Sequence, residues 1–159
     1  MNTTFKMWHG LEGLEVYEQV HQNDINRFLH LAFLPAVFYG IFRSVPHSVI
    51  PFILFSYTGY YAAVIDIKSA VNNLFLIGPW AVLANNQTPS LKVGLLSLTC
   101  SLVIQEVIGH SLFEEINSRL TLSFVLNAIM YSPLFYSMHV GPILLMVHWL
   151  IAQSIGPEF

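Results

Sequence analysis

Three imidazoles and three carboxylates stand beside runs of hydrocarbon in two short patches of this chain. They are His21-Gln-Asn23-Asp-Ile-Asn26-Arg27-Phe-Leu-His30 and Glu106-Val-Ile-Gly109-His110-Ser-Leu-Phe113-Glu114. Such groups are expensive to desolvate, so their place next to apolar segments calls for a metal ion or a mutual hydrogen-bond network. Three imidazoles, or two with a carboxylate, leaving coordination positions open, suit non-haem iron(II) and equally a hydrolytic zinc. Residue types alone do not choose between them. For any one of these histidines the commoner role is a satisfied polar residue sealing a helix end. The joint pattern of His21, Asn23, Asn26, His30, His110 and Glu114 points instead to a functional site.

The elements that carry these residues must bring them together. On one unbroken helix His21 and His30, nine residues apart, would face opposite sides. Asn23-Asp24 reads as a turn and N-cap, which lets His21 face back toward His30 on a new helix. Asn26 and His30, four apart, share a face of it. In the second patch Glu106, His110 and Glu114 recur every four residues as one helical stripe, and Gly109 lets another helix approach closely.

Composition sets the surroundings. Of the 159 residues, 55% are hydrophobic and only 9% charged, where an ordinary soluble domain has about 25% charged. This predicts a single, all-α, membrane-embedded domain. Six Lys plus Arg and a net charge of -3 exclude a nucleic-acid partner bound through phosphate neutralisation. Residues 10–21, with Leu11, Leu14 and Tyr17 between Glu12, Glu15 and Glu18, predict an amphipathic interfacial helix. Apolar runs at 28–42, 49–65, 74–84, 93–109, 120–138 and 142–155 then predict a bundle over 26–155 of four to six short transmembrane or re-entrant helices. The run 74–84 is short for a crossing. A break is expected near His139-Val-Gly141-Pro142, with Pro133 a second candidate kink.

Topology brings the two patches to one place. If the first four runs all cross, the start of the first and the end of the fourth emerge on the same side, with His21, His30 and His110. That side collects Lys6, Arg27, Lys68 and Arg119, against Arg43 and Lys92 opposite, which makes it cytoplasmic. His47 and His139 fall at the far face, and they and His148 read as structural or interfacial. Cys100, inside an apolar run, reads as a packed core thiol. Trp8, Trp80 and Trp149 suit interface belts, and Tyr57, Tyr60 and Tyr61 a lipid-facing groove.

Tyr17 with His21, Asn23, Asn26 and His30 resembles the Y-x-x-x-H-x-N-x-x-N-x-x-x-H block of a family of small membrane proteins typified by the fungal 2-hydroxy-fatty-acid dioxygenase. Gly109-His110-Ser-Leu-Phe113-Glu114 resembles that family's G-H-x-x-F-E block, and Ser132-Pro133-Leu-Phe135 a later proline-containing segment. Order and approximate spacing agree from about residue 16 to 135. The resemblance implies an iron(II)-dependent enzyme of the endoplasmic reticulum that uses dioxygen to shorten 2-hydroxy fatty acids by one carbon. His21, His30 and His110 would be its iron ligands. Glu114 would be a fourth ligand or an acceptor orienting an imidazole, Asn23 and Asn26 would fix ring tautomers or bind the substrate carboxylate, and Arg27 would pair with that carboxylate or anchor the topology. The chain departs from the family pattern at Glu106, where the family carries Gln, with Gln105 one position too early, and lacks a Pro-Ala pair near Ser118-Arg119. Two other classes fit the residues: a membrane protein holding haem between His30 and His110 for electron transfer, and a non-catalytic relative that keeps the metal for folding or partner binding.

Overall fold

The computed structural model describes residues 17–114 without a break, together with Glu15 and the short stretches 126, 129–133, 146–147, 150–151 and 153–154. Among these residues every regular element is helical and none is a strand. The break near His139, the flanking histidines 139 and 148, Trp8, Trp149, Lys6, Arg119 and most of the proposed interfacial helix lie outside the described residues. Of that last helix, Tyr17 is buried while Glu15 and Glu18 are exposed.

Short polar side chains start three of the four helices. Asn23 is extended and accepts from the Ile25 N–H at 2.8 Å, opening α1 at Asp24–Arg43. This supplies one of the acceptors that a first helical turn lacks. After a 3-10 turn at His47–Val49, α2 occupies Ile50–Val64 with Pro51 in its first turn, where the missing N–H has no helical partner to lose. Asp66 accepts from the Ser69 N–H at 2.6 Å and starts α3, Ile67–Asn85. Ser90 caps α4, Leu91–Leu102, which continues through a π-helical turn at Val103–Gly109 into a last α-helical turn, His110–Phe113.

The run 74–84 is therefore the second half of a 19-residue helix. Its Asp66 cap lies well upstream, so polar Lys68, Ser69, Asn72 and Asn73 are taken into the first half. Three helices, Asp24–Arg43, Ile67–Asn85 and Leu91–Phe113, are long and apolar enough to cross a membrane. α2, with 15 residues, is about 22 Å long at 1.5 Å per residue and falls short of the usual span.

Glycines decide how closely α1 and α4 approach. A Cβ on Gly40 would lie 2.8 Å from both the Gly94 carbonyl oxygen and the Leu98 nitrogen, and one on Gly109 would fall on Asn26 Oδ1. The two helices thus run antiparallel, in contact near both ends, by the small-residue packing that lets backbones touch. The ends of α1 and α3 meet as well. The Ser90 N–H donates to the Arg43 carbonyl at 2.8 Å, Arg43 Nη1 donates to the Thr88 carbonyl, and Tyr39 donates its hydroxyl to Gln87 Oε1 at 2.5 Å. With α1 and α3 pointing one way and α2 and α4 the other, the start of α1 and the end of α4 share one end of the bundle.

Leu34, Phe38 and Phe42 of α1, Tyr57 and Tyr61 of α2, and Leu76 and Ile77 of α3 form the core, with Tyr17 and Tyr131. The Tyr57 and Tyr61 hydroxyls donate to the carbonyls of Ile129 and Met130, which ties 129–133 to α2. Tyr57 and Tyr60 line an open apolar groove of about 460 Å³ with Phe52, Ile53 and Met130, whereas Tyr61 is fully buried rather than groove-lining. Two further expectations are corrected. Cys100 is exposed, on the face of α4 that also turns Leu96 and Val103 outward. Trp80 is not at a belt but buried with Leu83 against Tyr39. Both have one cause: an apolar residue in such a bundle can face either the core or an apolar exterior, and hydropathy is the same for both.

Candidate metal centre

The loop before α1, the second turn of α1 and the exit of the π turn each deliver one imidazole to the same point. His21, His30 and His110 are all buried, and one ring nitrogen of each lies within 4.8 Å of the others. Ring centroids are 4.4 Å apart for His21 and His30, 4.6 Å for His21 and His110, and 5.2 Å for His30 and His110, all edge to face.

Tyr17 organises two of the three rings. It stacks on His21 at 3.8 Å, and its carbonyl lies 2.7 Å from His21 Nδ1. A carbonyl only accepts, so Nδ1 of His21 carries the proton and Nε2 carries the lone pair. The Tyr17 hydroxyl lies 3.4 Å from His30 Nδ1, and Gln105 reaches the His30 ring from the π turn. The two Nε2 atoms of His21 and His30 then face each other at 3.3 Å. That distance suits a hydrogen bond between the rings. It equally suits two ligands of one ion, since metal–nitrogen bonds of about 2.1 Å meeting at roughly 90–110° put their nitrogens about 3.0–3.4 Å apart.

Electrostatics favour the ligand form of His21. Burial, then the neighbouring His110 and Arg27, lower its pKa to about 3 against the opposing pull of the Tyr17 carbonyl. At neutral pH the ring is uncharged, as metal binding requires.

The remaining candidate residues shape this corner. Glu114 Oε1 accepts from the Asn23 N–H at 2.8 Å and from Asn26 Nδ2 at 3.1 Å, so it pins the end of α4 to the start of α1. It also sets a negative charge at the positive end of that helix. It lies outside the three-imidazole group. Asn23 serves as the N-cap. Asn26 is fully buried and keeps Oδ1, beside Gly109, without a hydrogen-bond partner. Arg27 Nε donates to the His21 carbonyl at 2.6 Å, while Nη1 lies 3.5 Å from Asp24 Oδ1. Through the first bond Arg27 holds the histidine loop.

The π turn changes the predicted stripe. Glu106 and His110 do face inward together, with Glu106 Oε2 3.5 Å from His110 Nε2, but the helix ends at Phe113 and Glu114 follows it. Gln105, which sequence reasoning gave no role, is buried beside Glu106. Both side chains belong to the π-helical turn Val103–Gly109. π-Helical turns tend to occur at functional sites.

Among the described residues, fold and site together define an all-helical arrangement with three apolar helices of spanning length and a buried cluster of three histidines able to hold a metal ion. No family model, curated protein or solved structure matches the chain.

Proposed function

We propose that this chain is an integral membrane, iron(II)-dependent dioxygenase of the endoplasmic reticulum that shortens 2-hydroxy fatty acids by one carbon. The observation that carries the reading is the convergence of His21, His30 and His110, from separate parts of the chain, on one buried point. Three imidazoles leave enough positions open on ferrous iron for the ion, when bound, to chelate the hydroxyl and carboxylate of a 2-hydroxy acid and to activate dioxygen. The chain's own groups prepare that site. Tyr17 fixes the His21 tautomer and covers the ring from water, Glu114 and Arg27 hold the loop, and the Asn26 amide faces the α4 approach with an acceptor to offer. The outward-facing Phe28, Phe52, Phe55 and Leu96 suit a lipid surround in which the acyl chain of the substrate stays. Among the described cations Arg27 and Lys68 lie at the site's end and Arg43 and Lys92 at the other, so a cytoplasmic site rests on Lys6 and Arg119.

The test is turnover by purified protein, supplied with iron(II) and dioxygen, on a series of 2-hydroxy fatty acids. A product one carbon shorter is expected from the wild type, and none from His30→Ala or His110→Ala. Normal turnover by both variants defeats the assignment. Bound metal without product across the series marks a non-catalytic metalloprotein, and an intense Soret band a haem protein.

A further inference from the structure

Next to the histidines a small cavity of about 10 Å³ lies between α1, the π turn and residues 129–133. Leu34 and Val37 wall it, and Gln105, Glu106 and Ser132 supply its polar lining. Gln105 Nε2 and Ser132 Oγ, on side chains 2% exposed, have no hydrogen-bond partner. Glu106, equally buried, sets Oε2 against His110 Nε2 at 3.5 Å. The three groups are complementary in kind: an amide nitrogen that only donates, a hydroxyl that does both, and a carboxylate. Bare polar atoms at such depth are costly. A polar cavity of this size takes one water, and three partners are what a buried water usually has.

We propose that this cavity is a built site for a single water molecule, which with Gln105 and Ser132 holds the Glu106 carboxyl group against His110. The water accepts from Gln105 Nε2 and donates to Glu106, and Ser132 completes its shell. Glu106 is thereby a positioning residue. It sets the plane of the His110 ring from behind, as carboxylates do for metal-binding imidazoles. The water site stands without any metal, whereas the positioning role rests on the three-histidine reading.

Two measurements on the full chain in lipid nanodiscs test the two halves. Magnetic relaxation dispersion counts long-lived internal waters. Ser132→Val, which fills the cavity with hydrocarbon, and Gln105→Met, which removes the donor, are each expected to lose one relative to wild type. Equal counts in wild type and either folded variant overturn the water site. Cobalt(II) then serves as a spectroscopic probe. Glu106→Leu is expected to bind it about 10–100-fold more weakly with a shifted visible band, and Glu106→Gln, which keeps an acceptor, to recover part of both. Wild-type affinity and spectrum in Glu106→Leu overturn the positioning role. A wild type that binds no cobalt defeats the three-histidine reading and the positioning role with it, and leaves the water count to stand by itself.

Discussion

At the end of the bundle where α1 and α3 finish, polar side chains are tied to backbone and to one another. His47 Nε2 lies 2.8 Å from the Gln87 carbonyl, Arg43 donates to the Thr88 carbonyl, and Tyr39 bonds Gln87. At the opposite end His21 gives only Nδ1 to a carbonyl and turns Nε2 toward His30. The two ends hold similar residue types at similar distances from the helix ends. What separates a tether from a candidate ligand is which nitrogen the backbone takes, because a carbonyl consumes the proton on one nitrogen and leaves a lone pair on the other. In His47 the nitrogen far from the backbone is the tied one. In His21 it is the one left to face its neighbours.

The sharpest way to break this contrast is to remove one imidazole from each end. His30→Ala is expected to lower metal affinity by more than about 100-fold, beyond the loss of an outer hydrogen-bond partner. His47→Ala should keep full metal content and lose only about 1 kcal/mol of stability. Metal analysis of the two purified variants beside wild type decides it; equal metal in both would erase the distinction between the ends.

A pH titration of metal-free protein sharpens the same point. Because the folded His21 pKa is lowered to about 3, the unfolded chain binds the extra proton first. Its contribution to stability is complete above about pH 6.5 and is lost as pH falls from there toward 3, by about 1.4 kcal/mol per unit. Unfolding curves in mild detergent at stepped pH should show at least this slope, and His21→Phe should reduce it by about that amount. An equal slope in the variant would place the titrating group elsewhere.

The smallest effects come from glycines. Gly109→Ala drives a methyl group into Asn26 Oδ1 and is expected to cost about 1–3 kcal/mol as overpacking. Gly59→Ala meets nothing within 4 Å, so it should stabilise α2 by up to about 1 kcal/mol through helix propensity. Melting temperatures moving in opposite directions would support the close approach of α1 and α4 at the site. Parallel shifts would remove it.

Much of this was legible in the residues. Asn23 as cap, the turn that lets His21 face His30, and Gly109 as a point of close approach all follow from local stereochemistry, which the chain carries wherever it folds. The meeting of His21, His30 and His110 followed from counting crossings. Less legible were Cys100 and Trp80, whose directions depend on whether a neighbouring helix or the exterior lies beyond them. The full length of α3 was hidden because Lys68, Asn72 and Asn73 dilute its apolar signal, although Asp66 is a visible cap. Gln105 showed only as an amide one position before the family's Gln, and its burial beside Glu106 is set by packing against α1 and residues 129–133.

By itself the sequence determined the all-helical class, the caps that start the helices and the residue types that could bind a metal, because these depend on side-chain chemistry and on neighbours within one or two turns. Tertiary structure decided which nitrogens face one another, where the π turn falls and which apolar faces are inside. Those are set by contacts between residues as far apart as Asn26 and Gly109, and local sequence preferences do not encode such distances.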